Sequence, residues 1–169
     1  TSAGVEFSDA ERASADPASW LQAFEVAIEY GAPVADETLA LIERRSARYA
    51  LTDFLPTPQD RARLLLLLRP RTGLYDRLSE LHECGLLGKL FPGFNAISSR
   101  VIRDFYHKYT VDEHTLLTIR GLERLLTADS SRERFGAVLA ELHAPERLVL
   151  ALLFHDVGKW KEEAHAEES

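Results

Sequence analysis

Near the end of this 169-residue sequence an apolar run, Leu148-Val149-Leu150-Ala151-Leu152-Leu153-Phe154, leads directly into His155-Asp156 and then Val157-Gly158-Lys159. Such a run normally excludes imidazole and carboxylate groups, because burying either without a partner costs several kcal/mol. A divalent cation suits both, since neutral imidazole and carboxylate are ordinary ligands of Zn, Mn, Fe and Mg ions. A plainer alternative is a helix C-terminus at which the His interacts with the helix dipole and the Asp caps the next turn. On an ideal helix consecutive side chains diverge by about 100°. The two can therefore share an ion only if it lies off the helix end, where Gly158 frees the backbone to turn away.

The other histidines are unevenly placed. His107, His114 and His165 accompany His155 toward the C-terminal end, while His82 and His143 read as structural, as does Cys84. His114 falls in the first turn of a segment opened by Thr110-Val111-Asp112-Glu113, a capping box with the Thr at the N-cap and the Glu three residues on. Leu117, Gly121 and Leu125 share its face, which predicts an inward-facing His114 and a close approach of another helix at Gly121. A lone inward His is more often a core residue than a ligand. Joined with His155-Asp156 on a second buried helix, it reads as a third ligand. Asp112 reads as a partner of the helix dipole.

The elements that must position these residues are helical throughout. Residues 1–15 lack periodicity and read as a disordered lead-in. Asp16-Pro17 opens a helix carrying Trp20, Leu21, Phe24, Ala27 and Ile28, which stops at Gly31. Further helices are expected from Asp36, from Thr57-Pro58 to before Pro70, and from Leu74 to Cys84. Gly85, Gly88, Pro92 and Gly93 mark a turn-rich connector with at most one helical turn. Helices over Ser99–Lys108, from Thr110 to Leu126, from Asp129 or Ser130 to Leu142, and from Pro145 to the His-Asp pair complete the chain. No segment alternates with period two, and no hairpin signal occurs. The fold class is all-α.

Composition narrows the function classes. An apolar fraction of 46% and a charged fraction of 28% describe an ordinary globular protein. The net charge of −7 disfavours a nucleic-acid surface. No apolar segment is long enough to span a membrane, and no export signal is visible. A single cysteine excludes an internal disulfide and suits a cytoplasmic location. No Met occurs, even at position 1, which predicts a piece of a longer gene product.

Leu152-Leu153-Phe154-His155-Asp156-Val157-Gly158-Lys159 resembles the signature of the HD-domain metal-dependent phosphohydrolases. A second stretch is more specific. Asp104-Phe105-Tyr106-His107-Lys108-Tyr109-Thr110-Val111-Asp112-Glu113-His114-Thr115-Leu116 is similar to a segment of the bacterial PII uridylyltransferase/uridylyl-removing family. His82-Glu83-Cys84-Gly85-Leu86-Leu87-Gly88-Lys89-Leu90-Phe91-Pro92-Gly93-Phe94 resembles the region just before that family's HD domain.

The resemblance implies an HD-domain-like helical bundle preceded by a helical lead. The expected boundaries are 1–15 for the lead-in, 16–84 for an N-terminal helical segment, 85–98 for the connector and 99–169 for the first part of an HD domain. It implies His114, His155 and Asp156 as ligands of a divalent metal (Mn, Mg, Fe or Zn), with His165 joining a second metal or the substrate. Lys159 would contact a phosphate, and His107 would bind phosphate or orient a ligand. The HD pattern also calls for a distant Asp. None follows Asp156 here, so that ligand is expected in the longer product. The implied activity is metal-dependent phosphodiester hydrolysis, such as removal of UMP from a nucleotidylated PII-type protein by the full-length parent. The nucleotidyltransferase and ligand-sensing motifs of the family do not occur in this chain. The alternative is a non-catalytic helical regulatory module with an incomplete HD site. Metal binding at His114 and His155 also separates both from a plain helical bundle.

Overall fold

The computed structural model describes residues 4–98, 110–127 and 136–157, and among them the regular structure is helical, with one isolated parallel bridge between Val5 and Val34. None of the described helices is long and apolar enough to cross a membrane. The chain divides into two compact units. Thr1–Leu67 with Asp76–Leu90 form one, and Leu68–Tyr75 with Phe91–Ser169 form the other.

The first unit is built around Trp20. It begins helix α2, Trp20–Tyr30, and is wholly buried. Its indole lies 5.6 Å from both Tyr49 and Phe54, centroid to centroid. Its Nε1 donates to the Ala13 carbonyl at 2.7 Å, and the Tyr49 hydroxyl donates to the Ser14 carbonyl at 2.7 Å. These two bonds tie down helix α1, Ala10–Ala15, whose N-cap Asp9 accepts from Arg12 N. The lead-in is therefore ordered from residue 4 onward, contrary to the expectation for residues 1–15. Its polar sequence has no hydrophobic period of its own, and the order comes from aromatic groups outside the segment, Trp20 and Tyr49. Residues 4 and 5 are held similarly: Val5 N donates to Pro33 O at 2.9 Å and Ala35 N to Val5 O at 3.1 Å.

Local signals set most other boundaries. Asp16-Pro17 opens a 3-10 turn, Pro17–Ser19, that leads into α2. Helix α2 ends at Gly31, whose φ of 63° is the left-handed C-cap conformation that glycine adopts without steric penalty. Helix α3 spans Asp36–Ser46, and a short α4 spans Leu51–Phe54. Helix α5, Pro58–Leu67, opens on a reciprocal cap. Thr57 N donates to Asp60 Oδ2 at 3.0 Å, and Asp60 N donates to Thr57 Oγ1 at 3.2 Å. Helix α6 spans Leu74–Glu83 and α7 Leu86–Leu90. On α6, Arg77 and Glu80 pair at 2.6 Å. They reach back to the Ala32 carbonyl and the Val34 amide respectively.

The second unit carries the site. Helix α8 is Pro92–Asn95, so the expected connector holds two short helices, α7 and α8. Helix α9 is Val111–Thr127, α10 is Ala137–Ala140 and α11 is Glu146–Phe154. Helix α11 packs against both α9 and α8. The carboxylate of Glu123 on α9 accepts from Gly73 N at 2.7 Å and Tyr75 N at 3.0 Å, supplying acceptors for the open amides at the start of α6. The Arg120 guanidinium lies 5.0 Å from the Tyr75 ring centroid, within cation–π range. The expected helix over Ser99–Lys108 and the cap at Asp129 or Ser130 lie outside the described residues.

Candidate metal centre

Helix α9 delivers His114. Thr110 N donates to Glu113 Oε2 at 3.2 Å, as the capping box requires, and His114 N donates to Thr110 O at 2.9 Å. Two hydroxyls then bond back into the helix: Thr115 Oγ1 to Val111 O and Thr118 Oγ1 to His114 O, both at 2.9 Å. The buried stripe of α9 runs through Val111, Asp112, Thr115, Leu116 and Ile119. It is offset from the stripe expected through His114, Leu117, Gly121 and Leu125. The His114 side chain is 44% exposed. Gly121 is exposed, and a Cβ there would meet nothing within 4 Å, so none of the described helices approaches at that point. Polar Asp112 and Thr115 occupy the buried stripe and hide it from a hydropathy pattern.

Helix α11 delivers the pair. Its Val149 and Leu153 are fully buried, and the Phe154 ring meets Phe91 edge-on at 5.9 Å. His155 is the C-cap, still in right-handed helical conformation (φ −59°, ψ −27°). The chain then turns through Asp156, which is 7% exposed. The helix end thus relieves the divergence of neighbouring side chains, and the ligating atoms converge.

The His155 Nδ1 lies 2.6 Å from the Leu152 carbonyl oxygen. A carbonyl only accepts, so Nδ1 carries a proton, and in the neutral ring Nε2 then keeps its lone pair. That Nε2 is 3.3 Å from Asp156 Oδ2, and His114 Nε2 is 3.7 Å from the same oxygen. Both separations exceed the 2.7–2.9 Å typical of a charge-assisted hydrogen bond. They fall in the range of about 3–4 Å expected between two ligands that each sit about 2.1 Å from one ion. The two imidazole centroids are 5.7 Å apart, and one ligand atom from each of the three residues lies within 4.8 Å of the others. Two imidazole nitrogens and a carboxylate oxygen form a donor set that fits a divalent transition metal.

Three of the expected site residues, His114, His155 and Asp156, therefore come together. His107, Lys159 and His165 lie outside the described residues. The Leu152 carbonyl was not singled out as a sequence feature, although its position three residues before His155 is that of a bond across the last helical turn.

No protein-family model matches the chain. Curated relatives do. A bifunctional uridylyltransferase/uridylyl-removing enzyme of Thiobacillus denitrificans is 38% identical over 131 residues, 76% of this chain and 15% of the relative. The enzyme of the same description from Xanthomonas euvesicatoria is 34% identical over 167 residues, 91% of this chain and 19% of the relative. One from Xanthomonas campestris is 40% identical over 111 residues, 63% of this chain and 12% of the relative. The chain thus spans less than a fifth of the length of these relatives. Over the stretch that aligns, the chain is similar to the corresponding region of bifunctional uridylyltransferase/uridylyl-removing enzymes.

Proposed function

We propose that the chain is the metal-binding part of an HD-type phosphohydrolase region, and that the protein it serves removes a nucleotidyl group from a PII-type signalling protein in the cytoplasm. The observation that carries the reading is the convergence of His114 Nε2, His155 Nε2 and Asp156 Oδ2, with the His155 tautomer held by Leu152. A bound divalent ion would supply Lewis acidity, lowering the pKa of a coordinated water and polarising a phosphoryl oxygen.

The chain's own residues divide the remaining work. Asp156 contributes the anionic ligand from a nearly buried position, where its charge is screened least. His155 holds its lone pair inward because the Leu152 carbonyl occupies its other nitrogen. His114 forms the open side of the site, since its ring is partly exposed, and a phosphoester substrate would approach there. In this reading Lys159 contacts a phosphate as a point charge. His107 orients a ligand or phosphate, and His165 joins a second ion or the substrate.

The test is the metal content of the purified chain after equilibration with Mn(II), set beside His155→Ala and Asp156→Ala. The reading expects bound metal in the parent and loss in both variants. Equal content in all three sinks the ligand assignment. Hydrolysis of bis-p-nitrophenyl phosphate, lost in Asp156→Ala, would then extend metal binding to catalysis.

A further inference from the structure

The His155–Asp156 pair is bracketed by Phe154 and Val157, and both flanking residues rest on the same point of the chain. A Cβ built on Gly93 would lie 3.0 Å from Phe154 Cε1, 3.5 Å from Phe154 Cδ1 and 3.7 Å from Val157 Cγ1. The Phe154 ring also meets Phe91, the N-cap of α8, edge-on at 5.9 Å. Gly93 follows Pro92 in the first turn of α8 and has no positive φ. Its backbone conformation therefore does not require glycine; the constraint is the 3.0 Å approach of Phe154 Cε1, which a Cβ would force to give by a few tenths of an ångström, while Val157 at 3.7 Å is in ordinary contact. Close packing transmits such a constraint, because a well-packed contact yields by tenths of an ångström before its neighbours must move.

We propose that Gly93 is a positioning residue for the metal site. Its bare α-carbon seats Phe154 and Val157, and through them it sets where His155 Nε2 and Asp156 Oδ2 stand relative to His114. This proposal rests on the metal reading above, but its geometric part concerns the His155 ring itself. A side chain at position 93 pushes the Phe154 ring away from α8. The last turn of α11 then shifts, and both the Leu152–His155 hydrogen bond and the 3.3 Å approach of His155 to Asp156 are disturbed.

The test compares the parent chain with Gly93→Ala, Gly93→Val, Phe154→Leu and the double variant Gly93→Val/Phe154→Leu. Mn(II) affinity is measured by calorimetry, helicity by far-UV circular dichroism, and the His155 ring nitrogens by long-range proton–nitrogen NMR without metal. The expected result is a roughly tenfold or greater loss of Mn(II) affinity in Gly93→Val, the size seen when groups supporting ligands are altered. Gly93→Ala should fall between it and the parent, with helicity retained. Replacing the ring with the smaller Leu in the double variant should recover most of the loss. The His155 nitrogen shifts should follow the same order. Parent-like affinity and His155 shifts in Gly93→Val, or no recovery in the double variant, overturn the proposal. If Gly93→Val fails to fold, the Gly93→Ala shifts decide it. If the parent binds no Mn(II), the metal reading fails, while the His155 shifts still decide whether Gly93 positions the ring.

Discussion

Asp156 and Cys84 are both buried, with opposite consequences. Asp156 presents one oxygen to two imidazoles, at 3.3 and 3.7 Å, so it is the member of the site whose charge matters most. Asp156→Asn keeps the shape and removes the anion. It should lower Mn(II) affinity at least about tenfold, with little change in helicity, as read by calorimetry and circular dichroism. Cys84 is 2% exposed, and burial pushes its thiol up to about 12. The thiolate is the reactive form, so Cys84 should resist a disulfide-exchange reagent at pH 8 in the folded chain. It should react within minutes in guanidinium, and rapid native labelling would contradict its burial at the end of α6.

Among the elements, the end of α2 and the tie from α6 give separate tests. Gly31 has a φ of 63° with open space around it. A Cβ there costs only backbone strain, about 1 kcal/mol. Gly31→Ala should therefore lower the urea midpoint without altering metal binding. On α6, burial pushes the Glu80 carboxyl above its ordinary value of 4.5, and this outweighs the opposing pull of Arg77 and the Val34 amide. An acid with a raised folded pKa binds its proton more tightly in the folded chain. Its contribution is thus fully present below pH 4.5, falls as pH rises through the folded value, and is level above it. The stability of the parent relative to Glu80→Gln should decline over that window in urea titrations. A difference that stays constant with pH would show that the Glu80 carboxyl is not raised on folding.

For the whole molecule, the division into two units predicts where metal acts. His114, His155 and Asp156, the proposed ligands, all belong to the second unit. Binding to the folded state alone stabilises by mass action, about 2.7 kcal/mol at a hundredfold excess over Kd. Hydrogen exchange with saturating Mn(II) should slow in α9 and α11 and remain unchanged in α2 and α3. Uniform slowing would contradict a site confined to one unit. Much of this arrangement was legible in the chain itself. The all-helical class, the start of α3 and the approximate limits of α2, α5, α6, α9 and α11 follow from caps and periodicity, because each depends on residues close in sequence. The order of residues 4–15 did not follow, since Trp20 and Tyr49 impose it from outside the segment. Nor did the face of α9, where buried polar groups mask the stripe. What His155-Asp156 means rests on tertiary structure: neighbouring side chains on a helix diverge, and only the helix end packed on α8 and α9 turns them toward His114.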